Sequence, residues 1–175
     1  MLKLECNHGF MVILHKKMSG SLPFCILLLI INVTKKQEDE YMCRLVDVTT
    51  NTGDIVRVSE YKKQQIEEII NKASDCTMID QIILFGSSLN SDCKKNSDID
   101  VVIISKASVS KLSQNKRYRA YWERIYKLDS FQTDYDVLYF TSYEDIERKK
   151  EQVPVCKEII EKGKIIYHKK GEECA

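Results

Sequence analysis

The stretch Asp98-Ile99-Asp100-Val101-Val102-Ile103-Ile104 constrains this chain more than any other. Successive side chains of a strand leave opposite faces, so Asp98 and Asp100 share one face. The unbroken apolar run behind them is the pattern of a central strand covered on both sides. The fold must therefore bury this strand while leaving its first end open. Two carboxylates on one face repel each other, and burying them without a cation is costly. A divalent ion removes that repulsion, and magnesium in particular is held by one or two carboxylates together with the phosphates of a substrate. The blander alternative, an edge strand with solvent-facing aspartates, fits poorly with Val-Val-Ile-Ile.

A second apolar run, Ile82-Ile83-Leu84-Phe85, ends at Gly86-Ser87, and ten residues separate this pair from Asp98. Glycine lets the backbone approach a ligand closely or adopt positive φ. Amides opening a turn or helix, with a serine hydroxyl beside them, can hold phosphate oxygens. Gly-Ser alone ends strands in many proteins. Joined to two carboxylates at the head of the next strand, it describes a site able to grip both ends of a metal–triphosphate. Asp134 and Asp136 precede a third apolar run, Val137 to Phe140, and offer a third carboxylate. Asp136 sits against its run as Asp100 does and is the preferred candidate. Such a carboxylate can complete a two-metal arrangement or deprotonate an attacking hydroxyl.

The flanking segments supply a frame. Ile66, Ile69, Ile70 and Ala73 recur on one helical face, with Ser59 placed to cap the helix. Residues 87–92 can start a short helix. Residues 110–129 predict one longer helix with the stripe Tyr118, Tyr121, Trp122, Ile125 and Leu128. Tyr143 to Lys150 predicts another, capped by Thr141 or Ser142. Pro154 suits a first turn, and Gly163 suits a C-cap. Ile165 to Tyr167 is a last strand or an extended tail. Residues 42–58 alternate as a hairpin would, around Asn51-Thr52-Gly53-Asp54, although an irregular arm fits nearly as well. The fold class is α/β: a small mixed sheet covered by helices.

With 175 residues the chain has room for one such domain. A net charge of +1 gives no general attraction to nucleic acid or to a membrane. Lys111, Lys116, Arg117, Arg119, Arg124 and Lys127 make the 110–129 helix basic. Aromatics facing the core and charges facing water explain that better than nucleic-acid binding does. The seven cysteines form no CxxC pair, so zinc knuckle and redox dithiol are not indicated. They are expected to be reduced. The run Pro23 to Val33 is too short to span a bilayer and lacks a cleavage pattern after it. It reads as a buried strand or packed addition in a cytoplasmic protein, and translation from Met18 or Met42 stays open.

Gly86-Ser87, ten residues, then Asp98-Ile99-Asp100 resembles the signature of the DNA polymerase β-like nucleotidyltransferase superfamily. The likeness runs from about Tyr61 to Tyr167 and is nearest to the minimal nucleotidyltransferases encoded beside HEPN-domain partners. It implies a nucleotidyltransferase fold over 58–168, an N-terminal extension over 1–57 and a polar tail over 169–175. It implies Asp98, Asp100 and Asp136 as catalytic, Mg2+-binding residues, with Mn2+ as a substitute. Gly86 and Ser87 would hold the triphosphate of ATP or another NTP. The implied reaction is transfer of a nucleoside monophosphate, AMP first, to a hydroxyl, with a tyrosine of a HEPN-like toxin as acceptor. Neither nucleic acid nor membrane is implied as partner, and oligomerisation is left open. One departure stands out. The family usually continues after Gly-Ser with a small residue and Arg-Gly, whereas this chain reads Ser88-Leu89-Asn90. That keeps two alternatives in view: a weak or inactive member acting by binding a partner, and a transferase acting on small molecules or nucleic-acid ends.

Overall fold

The computed structural model describes residues 6–7, 10–11, 43–128 and 132–169. The chain divides into two compact units, Met1–Glu40 and Tyr41–Ala175. In the first, Cys6–Asn7 pairs antiparallel with Phe10–Met11. The run Pro23 to Val33 lies outside the described residues.

The second unit opens with a hairpin, β1 (Leu45–Thr49) and β2 (Ile55–Ser59), in antiparallel register. The turn between them passes through Gly53 at φ +95°. A 3-10 turn over Glu60–Lys62 leads into α1 (Lys63–Ala73). Then follow β3 (Gln81–Phe85), a 3-10 turn over Gly86–Leu89, and β4 (Ile99–Ile104). Helices α2 (Val109–Gln114) and α3 (Lys116–Lys127) precede β5 (Tyr135–Phe140). The unit ends with α4 (Tyr143–Lys149), α5 (Pro154–Lys162) and β6 (Lys164–His168).

The main sheet has the order β5-β4-β3-β6. β3 runs antiparallel to both β4 and β6, while β4 and β5 are parallel, so the sheet is mixed. Period-two alternation divides each central strand between two cores. Ile82 and Leu84 of β3 and Ile99, Val101 and Ile103 of β4 pack with Ile66, Ile69, Ile70 and Ala73 of α1 and with Tyr118, Tyr121 and Ile125 of α3. Ile83, Phe85, Val102 and Ile104 face the other way, onto Ile146 of α4 and Cys156 and Ile159 of α5. Burying a Leu or Ile side chain contributes about 2 kcal/mol, so the two cores together hold the sheet rigid from both sides.

Three expectations need correction. The stretch 110–129 is two helices, not one. Asn115 is extended between them, and its side-chain oxygen accepts from the amides of Arg117 at 2.9 Å and Tyr118 at 3.1 Å, which starts α3 afresh. Ser59 does not cap α1: it is buried, and its hydroxyl accepts from the Cys43 thiol at 3.2 Å. Residues 87–92 form no α-helix, only the 3-10 turn beginning at Gly86. Gly163 is the C-cap of α5 as expected, with an extended conformation and not a left-handed one. Its lack of a side chain is needed for space, because a Cβ there would meet the Ile159 carbonyl and lie 2.9 Å from Ile83 Cγ2.

Candidate active site

β4 and β5 run parallel and in register, with Asp100 opposite Asp136. Asp100 also pairs with Phe85, the last residue of β3. Alternation therefore places Asp100 and Asp136 on the sheet face shared by Phe85, Val102, Leu138 and Phe140, at its open end. Asp98 precedes β4 by one residue and is exposed, as is Asp136, while Asp100 is half-buried. Asp134 lies just outside β5, where its carbonyl accepts from the Ile99 amide at 3.0 Å, so its backbone helps hold the strand ends together.

The turn after β3 closes against Asp100. Gly86 has φ +70°. A Cβ at Gly86 would collide with the Asp100 carboxylate and sit 2.8 Å from its Cγ. Glycine is thus required twice, by the backbone angle and by the close approach. The Ser87 amide donates a hydrogen bond toward Asp100. Asn90 donates from Nδ2 back to the Gly86 carbonyl at 3.2 Å, and its own amide reaches the Ser87 carbonyl at 2.9 Å. Ser88 is fully buried, and its hydroxyl has no hydrogen-bond partner among the described residues.

The electrostatics follow from the packing. Burial raises the Asp100 carboxyl first, and the negative charges of Asp136, Asp98 and Glu158 raise it further, to about 6, against a partial offset from the Ser87 amide. Glu158 belongs to α5, the helix packed on this face, and sequence reading passed over it as one of the polar residues between the apolar ones. The signal for it was three-dimensional only.

Among the described residues no three acidic, cysteine or histidine side chains form a ready-made metal cluster. A magnesium ion that takes one or two carboxylates and completes its shell with water and substrate phosphates needs none. The oxygen donors are of the right hardness, the crowding of charge around Asp100 is what a cation relieves, and Gly86 lets the backbone come close to that carboxylate. The residues present fit a divalent metal with a triphosphate.

The remaining readings sort out simply. Cys43, Cys76, Cys93 and Cys156 are buried free thiols. On α3 the aromatics Tyr118 and Tyr121 are buried, while Arg117, Arg119, Arg124 and Lys127 are exposed, as the core-facing reading required. No helix among the described residues is long and apolar enough to cross a membrane.

The mixed sheet thus carries Asp100 and Asp136 side by side on a central and an edge strand, with the Gly86 turn pressed against Asp100. Residues 63–167 match the family model of the nucleotidyltransferase domain, and the chain belongs to that family. Nucleotidyl transfer from a nucleoside triphosphate with a divalent metal is that family's general chemistry. Among solved structures the chain is similar to one from a complex of tri-AMPylated Shewanella oneidensis HEPN toxin with MNT antitoxin. The identity is 15%, over 62% of this chain and 73% of that one, with a TM-score of 0.36. No curated protein matches significantly.

Proposed function

We propose that this protein is a magnesium-dependent nucleotidyltransferase that moves AMP from ATP to a hydroxyl acceptor, a tyrosine of a HEPN-like partner protein. The observation that carries the reading is the register of Asp100 with Asp136 directly beside the Gly86 turn. The acceptor comes from the resemblance of the motifs to minimal nucleotidyltransferases.

In this reading Asp98, Asp100 and Asp136 hold the metal, and the backbone at Gly86 and Ser87 holds the triphosphate tail. When bound, the metal neutralises charge on the phosphates and on the leaving pyrophosphate. Asp136, the more exposed of the strand pair, accepts the proton of the acceptor hydroxyl. That oxygen then bonds to the α-phosphorus, the bond from the α-phosphorus to the bridging oxygen breaks, and pyrophosphate leaves with the electron pair. Seating both reactants on rigid strand ends supplies proximity.

The test is mass spectrometry of a HEPN-like partner encoded beside this protein after incubation with ATP and magnesium. The expected result is a gain of AMP on a partner tyrosine, absent with Asp98→Ala plus Asp100→Ala. A stable complex without any gain supports a protein that acts by binding alone, the reading favoured by Leu89-Asn90 standing where the family has Arg-Gly. No ATP binding at millimolar concentration by the wild type would end the enzymatic reading.

A further inference from the structure

The loop from Gly86 to Asp98 carries the proposed triphosphate grip at one end and the first carboxylate at the other, yet beyond Leu89 it has no helix or strand. It is held from a segment that precedes the family-matched residues. The Cys43 amide donates to the Ser91 carbonyl at 2.8 Å, and the Cys43 thiol lies 3.6 Å from the Asn90 carbonyl. Lys62 is fully buried, and its Nζ donates to the Lys95 carbonyl at 3.0 Å. Burying an ammonium costs several kcal/mol even when it is bonded, and an apolar residue of similar size is often the more stable choice. The Lys62 side chain thus ties the loop, through the Lys95 carbonyl, to the turn that leads into α1.

We propose that Lys62 is a positioning residue for nucleotide binding. It fixes the loop so that Gly86-Ser87 and Asp98 stand ready on either side of one triphosphate, and it makes residues 43–62 part of the nucleotide-binding apparatus. This rests on the nucleotidyl-transfer reading above. The ammonium acts through the backbone and touches no reacting atom. A charge-assisted bond is roughly twice as strong as a neutral one and suits a loop that must resist the pull of a charged ligand.

The experiment compares full-length wild type, Lys62→Met and Lys62→Arg in two measurements. One is amide hydrogen exchange over residues 86–97 without nucleotide. The other is the split of KM for ATP from kcat in transfer to the partner. For Lys62→Met, loop exchange is expected to rise about tenfold while β3 and β4 stay protected, and KM to rise about tenfold with kcat within about twofold. Lys62→Arg is expected to recover most of both. Loop exchange and KM equal to wild type in Lys62→Met would overturn the proposal. Should that variant fail to fold, Lys62→Gln takes its place: it removes the charge and shortens the reach to the Lys95 carbonyl while keeping a polar end, and is expected to raise loop exchange and KM about threefold, with no rise in either overturning the proposal. If wild type shows no transfer at all, the nucleotidyl-transfer reading fails, and loop exchange still decides whether Lys62 holds the loop.

Discussion

Gly53 and Gly86 share one backbone property and differ in everything else. Both have positive φ, +95° in the β1–β2 turn and +70° after β3. Around Gly53 a Cβ would meet nothing within 4 Å. At Gly86 it would strike the carboxylate of Asp100. The first glycine serves the chain reversal alone, whereas the second also serves what is pressed against it. A turn that needs only an angle belongs to the fold; the turn at Gly86 also gives up the place of a side chain to the Asp100 carboxylate, which ties it to the candidate site.

The largest test of this contrast is Gly86→Ala. The positive φ costs about 1–2 kcal/mol for an L-residue, and displacing the Asp100 side chain adds to it, for a total of about 3 kcal/mol by urea denaturation. A second prediction isolates the steric part. Adding Asp100→Ala to Gly86→Ala removes the group that collides, so the two substitutions are expected to couple by about 1–2 kcal/mol in a double-mutant cycle. Strict additivity would mean that Asp100 simply swings away and the close approach has no energetic content. Gly53→Ala is expected to cost about 1 kcal/mol, from φ alone, and to leave ATP affinity unchanged. A loss of ATP affinity there would break the distinction between the two turns.

The sequence made one of these glycines readable and only half explained it. Gly86 stood out because an apolar run ended on it and two aspartates headed the next such run. Strand alternation then put Asp98 and Asp100 on one face, and the apolar helix positions of α1 came out buried as the spacing required. Two kinds of information were missing. Register between strands distant in sequence cannot be read from periodicity, so the pairing of Asp100 with Asp136 was not legible, and the choice of Asp136 over Asp134 rested on the likeness of its flank to that of Asp100. Side chains whose partners are tertiary carried no local signal: Glu158, Lys62, and Ser59, which turns to Cys43 instead of capping. The break at Asn115 was legible in principle, since asparagine is a strong N-cap, but the continuous stripe of aromatics masked it.

The smallest expected effect concerns charge. The Asp100 carboxyl is raised from 3.8 to about 6, by burial first and then by Asp136, Asp98 and Glu158. The native protein therefore binds this proton more readily than the unfolded chain does. Its contribution to stability is fully present below the unfolded value and is lost as pH rises toward and through about 6. At neutral pH without metal the ionised group is a liability, so Asp100→Asn is expected to raise stability by about 1 kcal/mol, once the shift is discounted for solvent screening of a half-exposed group. Well below the unfolded value of 3.8 the gain should vanish, because Asp100 is then neutral in both states. Glu158→Gln should act in the same direction and less, since its charge is the last of those that raise Asp100. Thermal melts from about pH 2.5 to 8, with and without magnesium and ATP, measure all of this. Ligand that binds the ionised form should reverse the sign, stabilising wild type above pH 6 and not Asp100→Asn. If the unliganded melts of wild type and Asp100→Asn coincide at pH 7, the carboxylates are too well hydrated to repel, and the crowded end of the sheet is no more strained than the open turn at Gly53.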